Sequence, residues 1–200
     1  LIPLEDGSRL TLNTASKAEI LFSAGERRVT LVEGEASFEV ASDAKRPFVV
    51  IAGDTRVRAI GTGFTVRRLE GDKVQVLVRE GVVEVRRAAA ATLPPARGTA
   101  NERVIVDGGY RVESLNSGTV RRELAWREGM LAFEDQSLGK AAEEFARYSD
   151  RRIAFADPGI AEETITGLYA TNDPQGFARS AALSLGLRAE TTRDGVVLRR

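Results

Sequence analysis

The sequence lacks cysteine and histidine altogether, and these two absences exclude a large part of protein chemistry. Without cysteine there is no disulfide and no thiol nucleophile. Without either residue there is no Ser-His-Asp or Cys-His couple and no zinc site with His or Cys ligands. The side chain that normally titrates between about pH 5 and 8 is also missing. We therefore expect no enzyme, no cofactor and no metal site.

Charge of one sign is not in excess either. Lys plus Arg is 29 and Asp plus Glu is 29, which gives a formal net charge of +0. The basic residues are almost all arginine, which stays protonated and cannot readily act as a general base. The four lysines are Lys17, Lys45, Lys73 and Lys140. Because the net charge offers no electrostatic case for nucleic acid or an anionic membrane, we expect neither as a partner.

Long hydrophobic runs are absent, so no segment has the roughly 18 consecutive apolar residues of a membrane span. The sequence starts Leu1-Ile2-Pro3-Leu4-Glu5, without a signal peptide and without Met. A content of 42% hydrophobic and 29% charged residues is typical of a globular chain. We expect a soluble piece of a longer protein, with two domains.

The first part of the sequence is typical of β strands. Apolar residues alternate with polar ones or form short β-branched runs, and glycine-bearing breaks separate the runs. The runs lie at residues 29–31, 36–40, 48–51, 64–66, 74–78 and 83–85. With a hairpin predicted around Asp107-Gly108, we expect an all-β domain over residues 1–115. Residues 88–101 are predicted to be a loop, and residues 116–123 a linker.

Within this region the apolar residues change parity at Glu-Gly pairs. They move from odd to even positions at Gly34 and from even to odd positions at Gly81. A strand cannot move its apolar side chains to the other face without a bulge or kink, which glycine permits. A third pair, ending at Gly129, has the same apolar neighbours. We predict that all three pairs lie at bends or bulges inside strands, a repeat of bent strands.

Residues 124–200 change character and predict a small β-α-β-β-α-β-β module, so the fold class is α+β. Leu138 begins an apolar stripe at helical spacing with Ser137 as its N-cap. Asp173-Pro174 begins a second helix, which ends at Gly186. The residues predicted to be buried in the two domains are Phe38, Phe64, Val76, Trp126, Phe133, Phe145, Phe177 and Leu185.

Several chemical interpretations compete with a purely structural one. Gly61-Thr62-Gly63 is a weak candidate for phosphate binding, since no Gly-Lys-Ser/Thr ending or helix follows it. Glutamates could form an acidic site, either Glu33, Glu80 and Glu128 or the set Glu33, Glu35 and Glu39. A carbohydrate- or cell-wall-binding β domain is the alternative function. It would need an exposed pair among Trp126, Tyr110, Tyr148 and Tyr169, and Trp126 is predicted to lie on a strand.

Motifs in order along nearly the whole chain resemble the periplasmic part of FecR-type sigma regulators, the ferric-citrate sensor family. They include Asp6-Gly7-Ser8, Gly34-Glu35-Ala36-x-Phe38-x-Val40, Arg46-Pro47-Phe48-x-Val50, Ala59-x-Gly61-Thr62-x-Phe64-x-Val66, Trp126-x-x-Gly129-x-Leu131-x-Phe133, Leu138-x-x-x-Ala142-x-x-Phe145-x-Arg147-Tyr148 and Asp173-Pro174. Residues 88–101 are longer and richer in alanine than this pattern.

The resemblance implies a single-span inner-membrane regulator, with this chain as its periplasmic sensing part. A cytoplasmic segment outside this chain would hold an extracytoplasmic-function (ECF) sigma factor. The periplasmic part would bind the signalling domain of a TonB-dependent outer-membrane transducer, often after iron-chelate uptake. Residues 124–200 would be a module like the short N-terminal domain of secretins and TonB-dependent transducers. No membrane contact is expected for this fragment.

The predicted contact surface lies in this C-terminal module, on the strand at residues 164–170 and the helix that begins at Pro174. Leu168 and Tyr169 are adjacent in a strand, so they point to opposite faces and one should be exposed. The residues predicted to bind a partner are Leu168, Tyr169 and Phe177.

Overall fold

The computed structural model describes residues 1–88 and 94–200. They form two compact units, here called the N-terminal unit, Leu1–Val120, and the C-terminal unit, Arg121–Arg200. Strands dominate the first, and helices and strands mix in the second, which confirms the broad α+β, mostly β class. The division falls inside the segment 116–123 that was predicted as a linker. That segment forms helix α1 (Ser117–Glu123).

Strands of the N-terminal unit follow one another with short connections. They are β1 (Ile2–Pro3), β2 (Arg9–Leu12), β3 (Lys17–Phe22), β4 (Arg27–Glu33), β5 (Glu35–Glu39), β6 (Phe48–Ala52), β7 (Thr55–Ala59), β8 (Gly63–Arg68), β9 (Val74–Glu80), β10 (Val82–Arg87), β11 (Ala96–Thr99), β12 (Glu102–Asp107) and β13 (Gly109–Ser114). The predicted runs all fall on strands. The prediction of a loop over residues 88–101 is wrong at β11, and residues 89–93 lie outside the described residues.

These strands form two sheets with a common core. Sheet A has the order β1-β2-β5-β8-β9-β12-β13, and sheet B has the order β11-β10-β7-β6-β4-β3. Neighbours are antiparallel except β4 and β6, which are parallel. Buried residues of both sheets belong to one apolar cluster, which includes Phe38 and Phe64 of sheet A and Phe48 of sheet B. The two sheets therefore pack face to face.

Single glycines carry the chain from one sheet to the other. Gly34 lies between β4 of sheet B and β5 of sheet A, and Gly81 lies between β9 of sheet A and β10 of sheet B. Their φ angles are 79° and 81°, in the left-handed region that favours glycine. The chain bends at these two positions as predicted, but each bend lies between two strands of different sheets and not inside one strand. The parity of the apolar residues changes because the core lies on opposite sides of the two sheets.

The third Glu-Gly pair is not a bent strand. Gly129, with φ 73°, caps a 3₁₀ helix over Ala125–Glu128 that contains Trp126. A left-handed glycine serves a helix C-terminus as well as a strand corner, so the same dipeptide has two structural uses. The predicted strand at Trp126 is therefore wrong. Its side chain is only partly exposed, so most of its surface is covered, as predicted.

The corner at Gly34 is tightly packed against the connection between β2 and β3. A Cβ atom on Gly34 would lie 2.1 Å from Ser16 Oγ and 2.6 Å from the Ala15 carbonyl oxygen. Ser16 Oγ also accepts a hydrogen bond from the Glu35 backbone N–H at 2.8 Å. Two corners of the sandwich thus meet where no side chain fits.

A buried ion pair holds three segments of the N-terminal unit together. The Arg27 side chain is fully buried, and its Nη1 donates to Asp6 Oδ2 at 2.6 Å and to the Ala41 carbonyl at 2.9 Å. Its Nε donates to the Arg46 carbonyl at 2.9 Å. Burial favours the protonated form of Asp6, but hydrogen bonds from Ser8 and Arg27 and the charge of Arg27 outweigh it and lower the pKa of Asp6.

The C-terminal unit contains two small sheets and helices. After α1 and the 3₁₀ helix come β14 (Met130–Ser137), α2 (Leu138–Ala146), β15 (Arg152–Phe155), α3 (Pro158–Ala161), β16 (Thr164–Ala170), α4 (Pro174–Leu185), β17 (Arg188–Thr191) and β18 (Gly195–Arg199). Sheet C pairs β14 with β16, and sheet D has the order β15-β18-β17. The observed order adds the short helix α3 to the predicted module.

Local signals predicted the helix ends well. Ser137 Oγ accepts from the Lys140 N–H, Asp173 Oδ1 accepts from the Gly176 N–H at 2.7 Å, and Gly186 ends α4 with φ 68°. Phe38, Phe64, Val76, Phe133, Phe145 and Phe177 are buried as predicted. Leu185 is half-buried at the last turn of α4 and packs against the edge of the core.

We predict that Gly34→Ala destabilises the N-terminal unit by about 1–3 kcal/mol more than Gly108→Ala. Both glycines have positive φ, but a Cβ on Gly108 would meet nothing within 4 Å, so this control isolates the steric cost. Urea unfolding followed by circular dichroism measures both. Equal shifts of the two midpoints would contradict the packed corner.

We predict that Asp6→Asn costs about 3–5 kcal/mol at pH 7, since it leaves Arg27 buried without its counter-charge. The pKa of Asp6 is lower in the folded than in the unfolded chain. The ionised carboxylate therefore stabilises the fold above about pH 4, and that contribution is lost as the pH falls through the folded pKa. The difference between wild type and variant should narrow below about pH 4. Asp107→Asn, at the exposed Lys73–Asp107 pair, should cost less than about 1 kcal/mol.

Candidate interaction surface

One face of sheet C is apolar and partly exposed to solvent. In the register of β14 and β16, Met130 lies opposite Ala170 and Ala132 lies opposite Leu168. Residues directly opposite each other share a face of the sheet, so these four side chains form one apolar surface, here called the outer face of sheet C. Leu168 is 59% exposed, and the other three are half-buried.

The other face of the same sheet belongs to the core of the C-terminal unit. Leu131 lies opposite Tyr169, and both pack in the cluster that includes residues of α2 and α4. Leu168 therefore points outward and Tyr169 inward, and Tyr169 is half-buried. A Cβ on Gly167 would lie 2.6 Å from Tyr169 Oη, so glycine lets the tyrosine ring lie flat along the strand.

A bulge limits the apolar surface. The register shifts between Phe133 and Gln136, where Asp135 takes a φ of 46° and its N–H donates to Thr166 Oγ1 at 3.0 Å. Thr166 and the exposed Glu134 flank the pair formed by Ala132 and Leu168. The surface is thus a small apolar centre with a polar border, the usual composition of a protein–protein contact.

Phe177 does not belong to this surface. It is 1% exposed, and its ring centroid lies 4.7 Å from that of Phe145, 4.8 Å from Tyr169 and 5.7 Å from Phe133. A side chain that fills the centre of an aromatic cluster offers no area to a partner. Phe177 was predicted both as core and as a partner contact, and its burial leaves it only the first role.

The N-terminal unit has a polar cleft of about 510 Å³ lined by Gly61-Thr62-Gly63 and charged side chains. Glu39 accepts a hydrogen bond from Arg9 Nε at 2.8 Å and pairs with Arg79 at 3.4 Å. Thr62 Oγ1 donates to the Val82 carbonyl at 3.0 Å and so closes the corner between β7 and β8. The Gly-Thr-Gly segment joins two strands, whereas a phosphate loop would lead into a helix.

The candidate acidic sites are not assembled. Glu33 lies in sheet B, while Glu35 and Glu39 lie in sheet A, because the chain changes sheets at Gly34. Glu35 is buried and accepts from Asn13 Nδ2 at 2.8 Å. Within residues 1–88 and 94–200, no group of three or more acidic side chains could hold a metal ion.

Aromatic side chains do not form an exposed platform. Tyr110, Trp126, Tyr148 and Tyr169 are all half-buried, so the exposed pair that a carbohydrate-binding surface would need is missing from these four. Across the described part of the chain, no helix is long and apolar enough to cross a membrane. The outer face of sheet C is therefore the strongest candidate interaction surface of the C-terminal unit.

We predict that Phe177→Ala destabilises the C-terminal unit by about 3–5 kcal/mol, whereas Leu168→Ala changes its stability by less than about 0.5 kcal/mol. The fluorescence of Trp126, the one tryptophan of the chain, reports the urea unfolding of this unit. A Phe177→Ala midpoint equal to that of wild type would contradict the assignment of Phe177 to the core.

Comparison with known proteins agrees with the motifs. Residues 1–84 match the family model described as FecR protein. Two crystal structures of a candidate anti-sigma factor from Parabacteroides distasonis are similar to this chain, each with 25% identity and a TM-score of 0.73. The similarity covers 100% of this chain and 93% and 92% of those chains. None of the curated proteins matches the sequence.

These similarities extend the resemblance beyond single motifs. The family match covers β1–β9 and both glycine corners, and the structural similarity covers the C-terminal unit as well. The resemblance to the FecR family is therefore borne out over residues 1–84, and the whole chain is similar in fold to those two candidate anti-sigma factor structures.

Proposed function

We propose that the chain is the periplasmic sensing region of a single-pass inner-membrane sigma-factor regulator. In this proposal the region binds the signalling domain of a TonB-dependent outer-membrane transducer, and the process that it regulates is iron uptake. The signal then passes to an ECF sigma factor through a cytoplasmic segment that is not part of this chain. The observation that carries the proposal is the apolar surface around the exposed Leu168, in a unit whose other large apolar side chains, except Leu183, are buried or half-buried.

The C-terminal unit is the proposed receptor. In this proposal residues 124–200 form a module like the short N-terminal domain of secretins and TonB-dependent transducers, and residues 1–115 form the FecR-like domain. Among the described residues, β16 pairs with β14 on one side only, so its other edge can accept a strand from a partner. A partner can thus add a strand at β16 and cover Leu168 at the same time.

The size of this surface favours weak and transient binding. Three apolar residues around one exposed leucine are far fewer than the roughly 20–30 residues per side of a standard interface. An exposed leucine within a polar border is a natural anchor for such a contact. Reversible binding suits a receptor that must release its partner once the signal has been passed on.

The affinity of the chain for the transducer's signalling domain should depend little on pH between about 6 and 8. It has no histidine, so its own side chains change charge little in that range. A change in affinity between these two pH values would have to come from groups of the partner.

We predict that Leu168→Asp weakens binding to the transducer's signalling domain at least tenfold, since it places a charge at the apolar centre of the contact. The matched control is Leu183→Asp, on the exposed side of α4 in the same unit, where Leu183 is 86% exposed. Calorimetry on the full chain, at pH 6 and pH 8, measures all three proteins.

Equal affinity of wild type and Leu168→Asp would remove this surface from the contact. Failure of the wild-type chain to bind the signalling domain of any transducer of its host would overturn the proposed function itself.

A further inference from the structure

The balanced net charge of the chain conceals an excess of arginine over acidic side chains on one face of sheet B. Glu84 lies opposite Arg58 on β7 and Arg97 on β11, and Arg86 lies opposite Arg56. Arg58 lies opposite Val49 on β6, which in turn lies opposite Arg28 on β4. Opposite residues share a face, so five arginines lie on the side of sheet B that points away from the core. They are Arg28, Arg56, Arg58, Arg86 and Arg97.

The charges of this outer face of sheet B are only partly compensated. Glu26 pairs with both Arg28 and Arg56, and Glu84 lies 3.4 Å from Arg86. In the part of the chain that the structure describes, the exposed Glu19 on β3, opposite Thr30, is the third acidic side chain of this face against its five arginines. Partial burial favours the neutral form of Glu26, but hydrogen bonds from Arg28 and Arg56 outweigh it and lower its pKa, so it stays ionised. Arg58 and Arg97 are exposed and have no ion pair or hydrogen bond to the residues that the structure describes.

The arrangement is unfavourable for the isolated sheet. Arg56 and Arg86 are direct cross-strand neighbours, and like charges in that position destabilise a sheet. Arg58 adds a third positive charge two residues along the same strand. An anionic partner would relieve this repulsion, which gives the face a binding free energy that does not depend on apolar area.

Apolar side chains lie among the arginines. Leu21 is 65% exposed and lies opposite Arg28, and Val82 is 37% exposed two residues before Glu84. Val49 is fully buried although it is outside the core cluster, and its cross-strand neighbours are Arg28 and Arg58. The methylene stems of arginine are long enough to cover it. Arginine and aliphatic residues with little lysine are typical of protein interfaces.

We propose that the outer face of sheet B docks an acidic protein segment in extended conformation, with carboxylates at alternate positions. Along a strand, residues two apart are separated by about 6.8 Å, and this is the spacing of Arg56 and Arg58. An extended partner segment repeats its same-face carboxylates at that distance. Arg58 can then take one carboxylate in a forked, charge-assisted hydrogen bond, and Arg56 can take another with the N–H donors that Glu26 leaves free.

Other occupants fit less well. A second copy of the chain would bring the same positive charges together if it used this face. An anionic bilayer is contacted by loosely held basic side chains, whereas Glu26 fixes two of these arginines in place. Six strands about 4.8 Å apart and five residues long give a face of about 490 Å², enough for a weak interface of about 1,000 Å² in total.

The test uses the full chain and a labelled twelve-residue peptide that alternates glutamate and serine. A peptide of the same composition with all glutamates in one block is its control. Fluorescence anisotropy at low ionic strength should show tighter binding of the alternating peptide. The double variant Arg56→Gln/Arg58→Gln should weaken that binding at least tenfold. Arg111→Gln, a 69% exposed arginine on β13 of sheet A, should change it less than twofold.

Three results would overturn the proposal. They are no binding of the alternating peptide, equal binding of the two peptides, and equal loss with the sheet A control. Sedimentation with phosphatidylglycerol vesicles that depends on Arg56 and Arg58 would assign the face to a membrane surface instead. None of these results depends on the binding of a transducer domain through Leu168.

Discussion

The N-terminal unit depends on the chain changing sheets within a single residue. At Gly34 this requires a left-handed backbone and leaves no space for a Cβ, because Ser16 and Ala15 of a neighbouring corner occupy it. As a consequence, two strands that follow each other in the chain lie in different sheets, so residues close in sequence have different surroundings. Glu33 and Glu35 are two residues apart, yet one lies in sheet B and the other is buried in sheet A beside Asn13.

The change of the apolar residues between odd and even positions predicted these corners, because residues on both sides of each corner must face the same core. Val29 and Leu31 before Gly34, and Ala36 and Phe38 after it, all face the same core from two sides. The same argument failed at Gly129. This glycine caps a 3₁₀ helix and does not join two buried strands, so the alternation of apolar residues has no meaning there. The Glu-Gly dipeptide alone predicts a left-handed glycine, but it does not predict whether that glycine follows a strand or a 3₁₀ helix.

Edge and outer strands were the hardest to predict. β3 has Ile20, Leu21 and Phe22 in succession, because an edge strand with a mostly exposed surface has no strict alternation to keep. In β7 the outward residues are Arg56 and Arg58 and only Val57 is a large apolar residue. For the candidate sites, alternation predicted that Leu168 and Tyr169 point to opposite faces, and the apolar stripe of α4 predicted that Phe177 is buried, but not that it lies at the centre of an aromatic cluster and so has no area for a partner. That depends on the packing of α4 against β14 and β16, which the sequence does not encode locally.

The two proposed surfaces differ in physical character. Around Leu168 the free energy comes from apolar area with a polar border, so binding there should depend little on salt. On the outer face of sheet B it comes from guanidinium–carboxylate pairs, so binding there should weaken as salt rises. Composition alone suggested no charged partner, because it counts charges and does not locate them. The folded sheet gathers five arginines on one face with fewer acidic side chains beside them.

The most direct test of the receptor account is methyl NMR of the full chain with and without the transducer's signalling domain. Leucine methyl groups report contact residue by residue. The account predicts that the resonances of Leu168 shift or broaden on binding while those of Leu183, which is even more exposed on α4, stay in place. Binding that leaves the Leu168 methyl resonances unchanged would contradict it.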